Sequence, residues 1–187
     1  MTSITFERTT EQPPAIAVPE APPAWPLHTI SILVRNKPGV LVRVALVFSR
    51  RGYNIESLVV SADATNGEFS RMTITCSGDP ETLEQIIKQV MKLVDVVHAI
   101  DHTGQMVIEA EIALVKLKCG ISERTEILQV AEHYGAKVVD YRSDSLTLRV
   151  FGASEKIDSA ILLWRPFGIV ELVRSGKILM ARGLETT

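Results

Sequence analysis

Between residues 27 and 174 the spacing of apolar residues changes period again and again, and the same series of changes occurs twice. Ile30, Ile32 and Val34 alternate along a predicted strand, with His28 assigned to its opposite face. After Pro38-Gly39 the spacing turns helical through Val40, Leu41, Val44, Ala45, Val47 and Phe48, with Arg43, Arg50 and Arg51 on the other side. Gly52 is in place to cap that helix. A strand over 54–62, a hairpin at Asn66-Gly67 and a returning strand over 69–76 follow. Asp79, Pro80 and Glu81 supply a capping carboxylate, a proline at the first helical position and an acid near the positive helix end. A fourth strand is predicted over 94–102. The second pass predicts a strand over 110–118, a helix capped by Ser122 and ended by Gly135, and strands over 137–141 and 146–151. A helix capped by Ser154 and a last strand over 169–174 complete it.

Strand, helix, strand, strand, helix, strand is the order of a split β-α-β unit. The expected class is therefore α+β, with two ferredoxin-like βαββαβ domains in tandem. Residues 27–103 form the first and 104–183 the second. At about 75 residues each, such units hide only roughly 60% of their chain's surface. Open sheet faces and edges then favour pairing with a second copy, so a homodimer at least is expected. Six of the nine prolines fall within residues 1–26, which read as a disordered proline-rich tail.

Composition narrows the function classes. A formal net charge of −2 and a pI near 6.1 give no support to a nucleic-acid surface. No apolar run reaches the roughly 18 residues of a membrane span. Cys76 and Cys119, far apart and without a C-x-x-C pattern, read as buried thiols of a cytoplasmic protein. His98 and His102 have helical metal spacing, but on a strand they stand roughly 13 Å apart. No nucleophile with its base and no nucleotide-binding loop is visible. The expectation is of no metal, no catalysis and no cofactor on this chain.

The better candidate is Asn36-Lys37-Pro38-Gly39-Val40-Leu41. A plain strand-to-helix connection accounts for Pro38 and Gly39. It does not require Asn36, nor the second glycine and asparagine at Gly52 and Asn54. A glycine turn before a helix N-terminus delivers amides and a positive dipole to a small carboxylate. Asn36 can both donate and accept, and Val40, Leu41 and Ile55 could line an apolar wall.

The residues Val34-Arg-Asn-Lys-Pro-Gly-Val-Leu-Val-Arg-Val resemble the first loop and helix of an ACT domain, a small amino-acid-sensing module. The run Phe48-Ser-Arg-Arg-Gly-Tyr-Asn-Ile-Glu-Ser-Leu is more specific. With Ser70-Arg-Met-Thr-Ile, Leu83-Glu-Gln-Ile, Lys88-Gln-Val-Met-Lys-Leu-Val-Asp-Val and Arg174-Ser-Gly, it resembles the small regulatory subunit of acetolactate synthase. That resemblance covers residues 27–183. It implies a non-catalytic subunit that activates the catalytic large subunit and confers feedback inhibition by valine or a related branched-chain amino acid. Thiamine diphosphate, magnesium and FAD are then expected on the catalytic partner, and none of them here.

The resemblance places the effector between two ACT domains, with Asn36, Lys37, Pro38, Gly39, Val40 and Leu41 on one subunit and Asn54 and Ile55 on its neighbour. Arg35 stands where many members have an acid, and Val42 where several have a small or hydroxyl residue. The second repeat carries Cys119-Gly120-Ile121-Ser122 at the equivalent turn and reads as a dimerisation or partner-contact unit. Trp164-Arg165-Pro166-Phe167-Gly168 is either a contact to the catalytic subunit or a turn with a core tryptophan. A free-standing ACT-domain sensor acting on a transcription regulator is the alternative.

Overall fold

The computed structural model describes residues 26–62, 67–184 and 187. Its first half runs β1 (Leu27–Arg35), α1 (Val40–Arg50), β2 (Asn54–Ala62), β3 (Phe69–Ser77), α2 (Pro80–Val90) and β4 (Val96–Asp101). The strands pair antiparallel in the order β2-β3-β1-β4. The second half runs β5 (Ile108–Lys118), α3 (Arg124–His133), β6 (Lys137–Tyr141), β7 (Ser145–Gly152), α4 (Ser154–Trp164), a 3-10 turn (Arg165–Phe167) and β8 (Ile169–Arg174). Its sheet has the matching order β6-β7-β5-β8. Both halves thus have the ferredoxin-like order that the alternating periods imply.

Each half has its own core. In the first, Ile30, Ile32, Ile74, Val44, Phe48, Leu83 and Ile86 are fully or almost fully buried. In the second, Val115, Leu117, Leu146, Leu148, Ile127, Ile157 and Trp164 are. Trp164 has no exposed surface, and its indole N–H donates to the Ile127 carbonyl at 3.4 Å, so the tryptophan belongs to the core. Both cysteines are buried, and burial pushes the Cys76 thiol up to about 12. The helix signals behave as expected at α2, where Asp79 accepts from the Thr82 amide at 2.8 Å. Gly52 takes the left-handed φ of 71° just past α1.

Other expectations are corrected. Ser122 does not cap α3: Glu123 is the flanking residue, and its carboxylate accepts from Gly120 N at 2.9 Å across the preceding turn. Ser154 is the first helical residue of α4 rather than its cap, because its hydroxyl donates to buried Glu111. His28 has the same parity as Ile30 and is buried with it, Nε2 donating to the Gly78 carbonyl at 2.9 Å. The fourth strand begins at Val96, so Asp95 precedes it. Asn66 of the expected hairpin and residues 1–25 of the expected tail lie outside the described residues.

The largest difference concerns the first sheet's second face. It is not left open, for Ser31, Thr73 and Thr75 on it are 1–5% exposed. The chain beyond β8 turns back at Ser175-Gly176 and forms β9 (Ile178–Met180), which pairs with Ile108–Ala110 of β5. That turn lies against Ser57 and Val59 of β2. Farther along the same face, His102 and Ser31 share a hydrogen bond of 2.8 Å, and His98 meets the Thr187 carbonyl at 3.4 Å. On the second sheet the corresponding face stays exposed, with Ile112, Leu114, Phe151 and Val173 each more than 40% accessible.

Candidate functional site

The loop between β1 and α1 is shaped by three local facts. Pro38 withholds an N–H and prevents β1 from continuing. Gly39 then takes φ 80°, a left-handed conformation that reverses the chain into α1. A Cβ added there would meet nothing within 4 Å, so the space in front of the helix is open. Among the first amides, Val40 N–H reaches the Lys37 carbonyl at 3.4 Å and Arg43 N–H the Gly39 carbonyl at 3.2 Å. The first turn of α1 has no acidic residue and no side-chain cap. The Leu41 and Val42 amides between those two, and the helix dipole, therefore have no carboxylate of the first turn against them.

Charge near the loop reinforces this. Lys37 Nζ and Arg43 Nη2 both lean on Asp95, at 3.7 and 2.5 Å, and Asp95 is 9% exposed. Two cations share one carboxylate there, beside the positive end of the helix. Asn36 anchors the loop to the β2–β3 hairpin: its backbone N–H donates to the Glu68 carbonyl at 2.8 Å and its side-chain amide to the Gly67 carbonyl at 3.0 Å. The side-chain oxygen is the acceptor end of the same amide.

The apolar residues divide. Val40 is 2% exposed and belongs to the first core, so it brings its backbone and not its side chain to the loop. Leu41 and Val42 are 40% and 60% exposed and stand outside. Ile55 is half-buried against the first core. The stripe Val40, Val44, Phe48 at helical spacing already carries that division in the sequence.

Asn54 and Ile55 lie elsewhere. Asn36 sits beside Phe69 at one end of β3, whereas Asn54 pairs with Ser77 at the other. Eight residues of extended strand separate those ends by roughly 26 Å. Within one chain the two groups cannot touch the same small molecule. Asn54 donates to Glu56 Oε1 at 3.0 Å, and Ser77 Oγ donates to the same oxygen at 3.0 Å. Glu56 itself bulges, since the β2–β3 register shifts between Ile55 and Ser57. Neither this bulge nor the role of Glu56 is visible in the residue pattern.

His98 and His102 are used in structure, through the contacts to Thr187 and Ser31 described above. Among the described residues no group of three or more His, Cys, Asp or Glu is arranged to hold a metal ion. No helix among them is long and apolar enough to cross a membrane.

Comparison with known proteins matches both halves. Residues 30–98 match the family model of the AHAS small subunit-like ACT domain, and residues 110–183 that of the small subunit of acetolactate synthase. A probable acetolactate synthase small subunit from Methanothermobacter thermautotrophicus is 46% identical over 160 residues, 85% of this chain and 95% of that one. The acetolactate synthase small subunit of Mycolicibacterium smegmatis is 40% identical over 84% of this chain and 92% of its own. The crystal structure of the small subunit from Thermotoga maritima superposes with a TM-score of 0.75 at 36% identity, covering 84% of this chain and 98% of that one.

Proposed function

The chain belongs to the acetolactate synthase small-subunit family, and on that premise we propose that it is a regulatory subunit that senses valine or a related branched-chain amino acid. It docks on an acetolactate synthase catalytic subunit and raises its turnover. Binding of the amino acid then withdraws that support. The chemistry, with its thiamine diphosphate, magnesium and FAD, is assigned to the catalytic partner. Residues 27–103 bind the effector, and residues 104–183 serve dimerisation and partner contact.

One observation carries this reading: the N-terminus of α1 is open, free of first-turn acids and reached through a glycine at φ 80°. Such a terminus holds the carboxylate of an amino acid. The Asn36 side-chain oxygen accepts from its ammonium, and Leu41 offers apolar surface to its side chain. Asn54 and Ile55 complete the site from a second copy, a reading that fits the roughly 26 Å between the two ends of β3.

Reconstitution tests it. Mixed with an acetolactate synthase catalytic subunit, the chain should raise turnover, and added valine should reverse the gain. A catalytic subunit indifferent to the chain would refute the proposal. Asn54→Ala should weaken valine binding about tenfold by calorimetry, the worth of one hydrogen bond to a charged group. Equal affinity in the variant would remove Asn54 from the site.

A further inference from the structure

The turn Arg174-Ser175-Gly176 joins β8 to β9, and Gly176 packs against the first half at β2. A Cβ on Gly176 would fall 3.0 Å from both Cβ and Oγ of Ser57 and 3.2 Å from Val59 Cγ2. Gly176 also has φ 80°, a shape that favours glycine, and an added Cβ would press on Ser57 and Val59. The backbone of the second half thus rests on the Ser57 and Val59 side chains of β2, with no side chain of Gly176 between them.

On the β2 side, the contact stands next to the bulge. Asn54 and Ile55 pair with Ser77 and Cys76, Glu56 is looped out, and pairing resumes at Ser57 with Thr75. A bulge is where the start of a strand can pivot against the remainder. The Glu56 carboxylate holds that pivot by accepting from Asn54 and Ser77. Turning the Asn54 amide toward another acceptor releases one of these bonds, and Ser57 is the next paired residue to feel it.

On the other side, the turn is clamped. Arg174 donates to Glu111 through Nε at 3.0 Å and Nη2 at 2.8 Å, and through Nη1 to Asp158 at 2.5 Å. Ser175 N–H donates to the Ile112 carbonyl at 2.9 Å, and Ile112 N–H to Ser175 Oγ at 3.0 Å. A push on Gly176 is therefore delivered to β5 and α4.

We infer that the seating of Gly176 on Ser57 is the contact that couples the start of β2 to the second half, and so carries effector occupancy across the subunit. The inference rests on the reading that the effector engages Asn54 and Ile55. Gly176 and Ser57 act as positioning residues that do not touch the effector.

Ser57→Gly removes both Ser57 atoms against which Gly176 rests and leaves the rest of the site in place. The free variant should bind valine within about twofold of the unmodified chain by calorimetry, as independent sites do. Saturating valine should nevertheless inhibit the reconstituted holoenzyme at least about fivefold less, the lower end of ordinary coupling. By reciprocity, adding the catalytic subunit should shift the valine affinity of the unmodified chain and not that of the variant. Gly176→Ala, which wedges the same seam apart, should uncouple in the same way. Inhibition of either variant equal to that of the unmodified chain overturns the inference. So does loss of valine binding by a folded Ser57→Gly, which would put Ser57 in the site itself. If the unmodified chain binds no valine, the regulatory reading fails first, and that result is distinct from either.

Discussion

Gly39→Asp is expected to abolish valine binding while leaving the chain folded and able to activate its catalytic partner. Gly39 is the residue flanking the start of α1, the position where aspartate is among the preferred caps. Its Cβ would enter open space, and aspartate tolerates a left-handed φ better than most residues. The new carboxylate would turn onto the first-turn amides and occupy the place of the effector's own. Charge-assisted hydrogen bonds lost to the ligand, at ~1.5–3 kcal/mol each, and like-charge repulsion together weaken binding at least about a hundredfold. Calorimetry measures the affinity, and turnover of the reconstituted enzyme measures activation. Retained valine affinity would move the site away from this loop. Loss of activation along with binding would show that the loop also serves the partner contact.

The second large effect is on stability. Glu111 is 4% exposed and holds Arg174 by a two-pronged ion pair, with Ser154 donating to the same carboxylate. Among the described residues, Glu111→Ala leaves the Arg174 guanidinium with exposed Asp158 as its partner. Removing one member of a buried pair costs about 3–5 kcal/mol, and the lower end applies because a third of the Arg174 side chain reaches water. For a chain of this size the midpoint of thermal unfolding should fall by about 6–12 °C. A fall of less than about 2 °C would show that the pair is as weak as a surface contact.

The same pair carries a pH dependence. Burial alone pushes the Glu111 carboxyl up, but hydrogen bonds from Arg174 and Ser154 and the charges of Arg174 and Lys177 outweigh it, so it ends below the ordinary glutamate range. A carboxyl held lower in the folded than in the unfolded chain stabilises fully above its unfolded value. That stability is lost as pH falls through the folded value. The gap in melting temperature between the unmodified chain and Glu111→Ala should therefore be constant near neutrality and narrow below about pH 4.

Much of this fold is legible along the chain, because the elements announce themselves locally. Ile30, Ile32 and Val34 alternate, Val40, Val44 and Phe48 recur at helical spacing, and Asp79-Pro80 sets the start of α2 through contacts within one turn. What is not legible depends on partners distant in sequence. Ser154 looks like a cap until Glu111, 43 residues earlier, takes its hydroxyl. Ser122 loses its expected role to Glu123, whose longer side chain reaches back to Gly120. Residues 177–183 show apolar character but no partner, and only folding brings Ile178–Met180 beside β5. The candidate site divides in the same way. The shape of Gly39 and the open helix end follow from Pro-Gly before an apolar stripe. That Val40 faces inward also follows from the stripe, and it removes that side chain from the apolar wall expected around a ligand. The Glu56 bulge depends on the register between β2 and β3, which no single strand reveals.

The separation of the Asn36 loop from Asn54 along β3 has a consequence for dose and dilution. An amino acid only a few ångströms long cannot bridge the two ends of one sheet, so any effector that needs both groups also holds two chains together. Occupancy and association then form one linked equilibrium, in which each favours the other by mass action. Such a sensor reads two concentrations at once, that of the amino acid and that of its own subunit. A cell making little of the chain would see a blunter response to the same amino-acid pool than one making plenty.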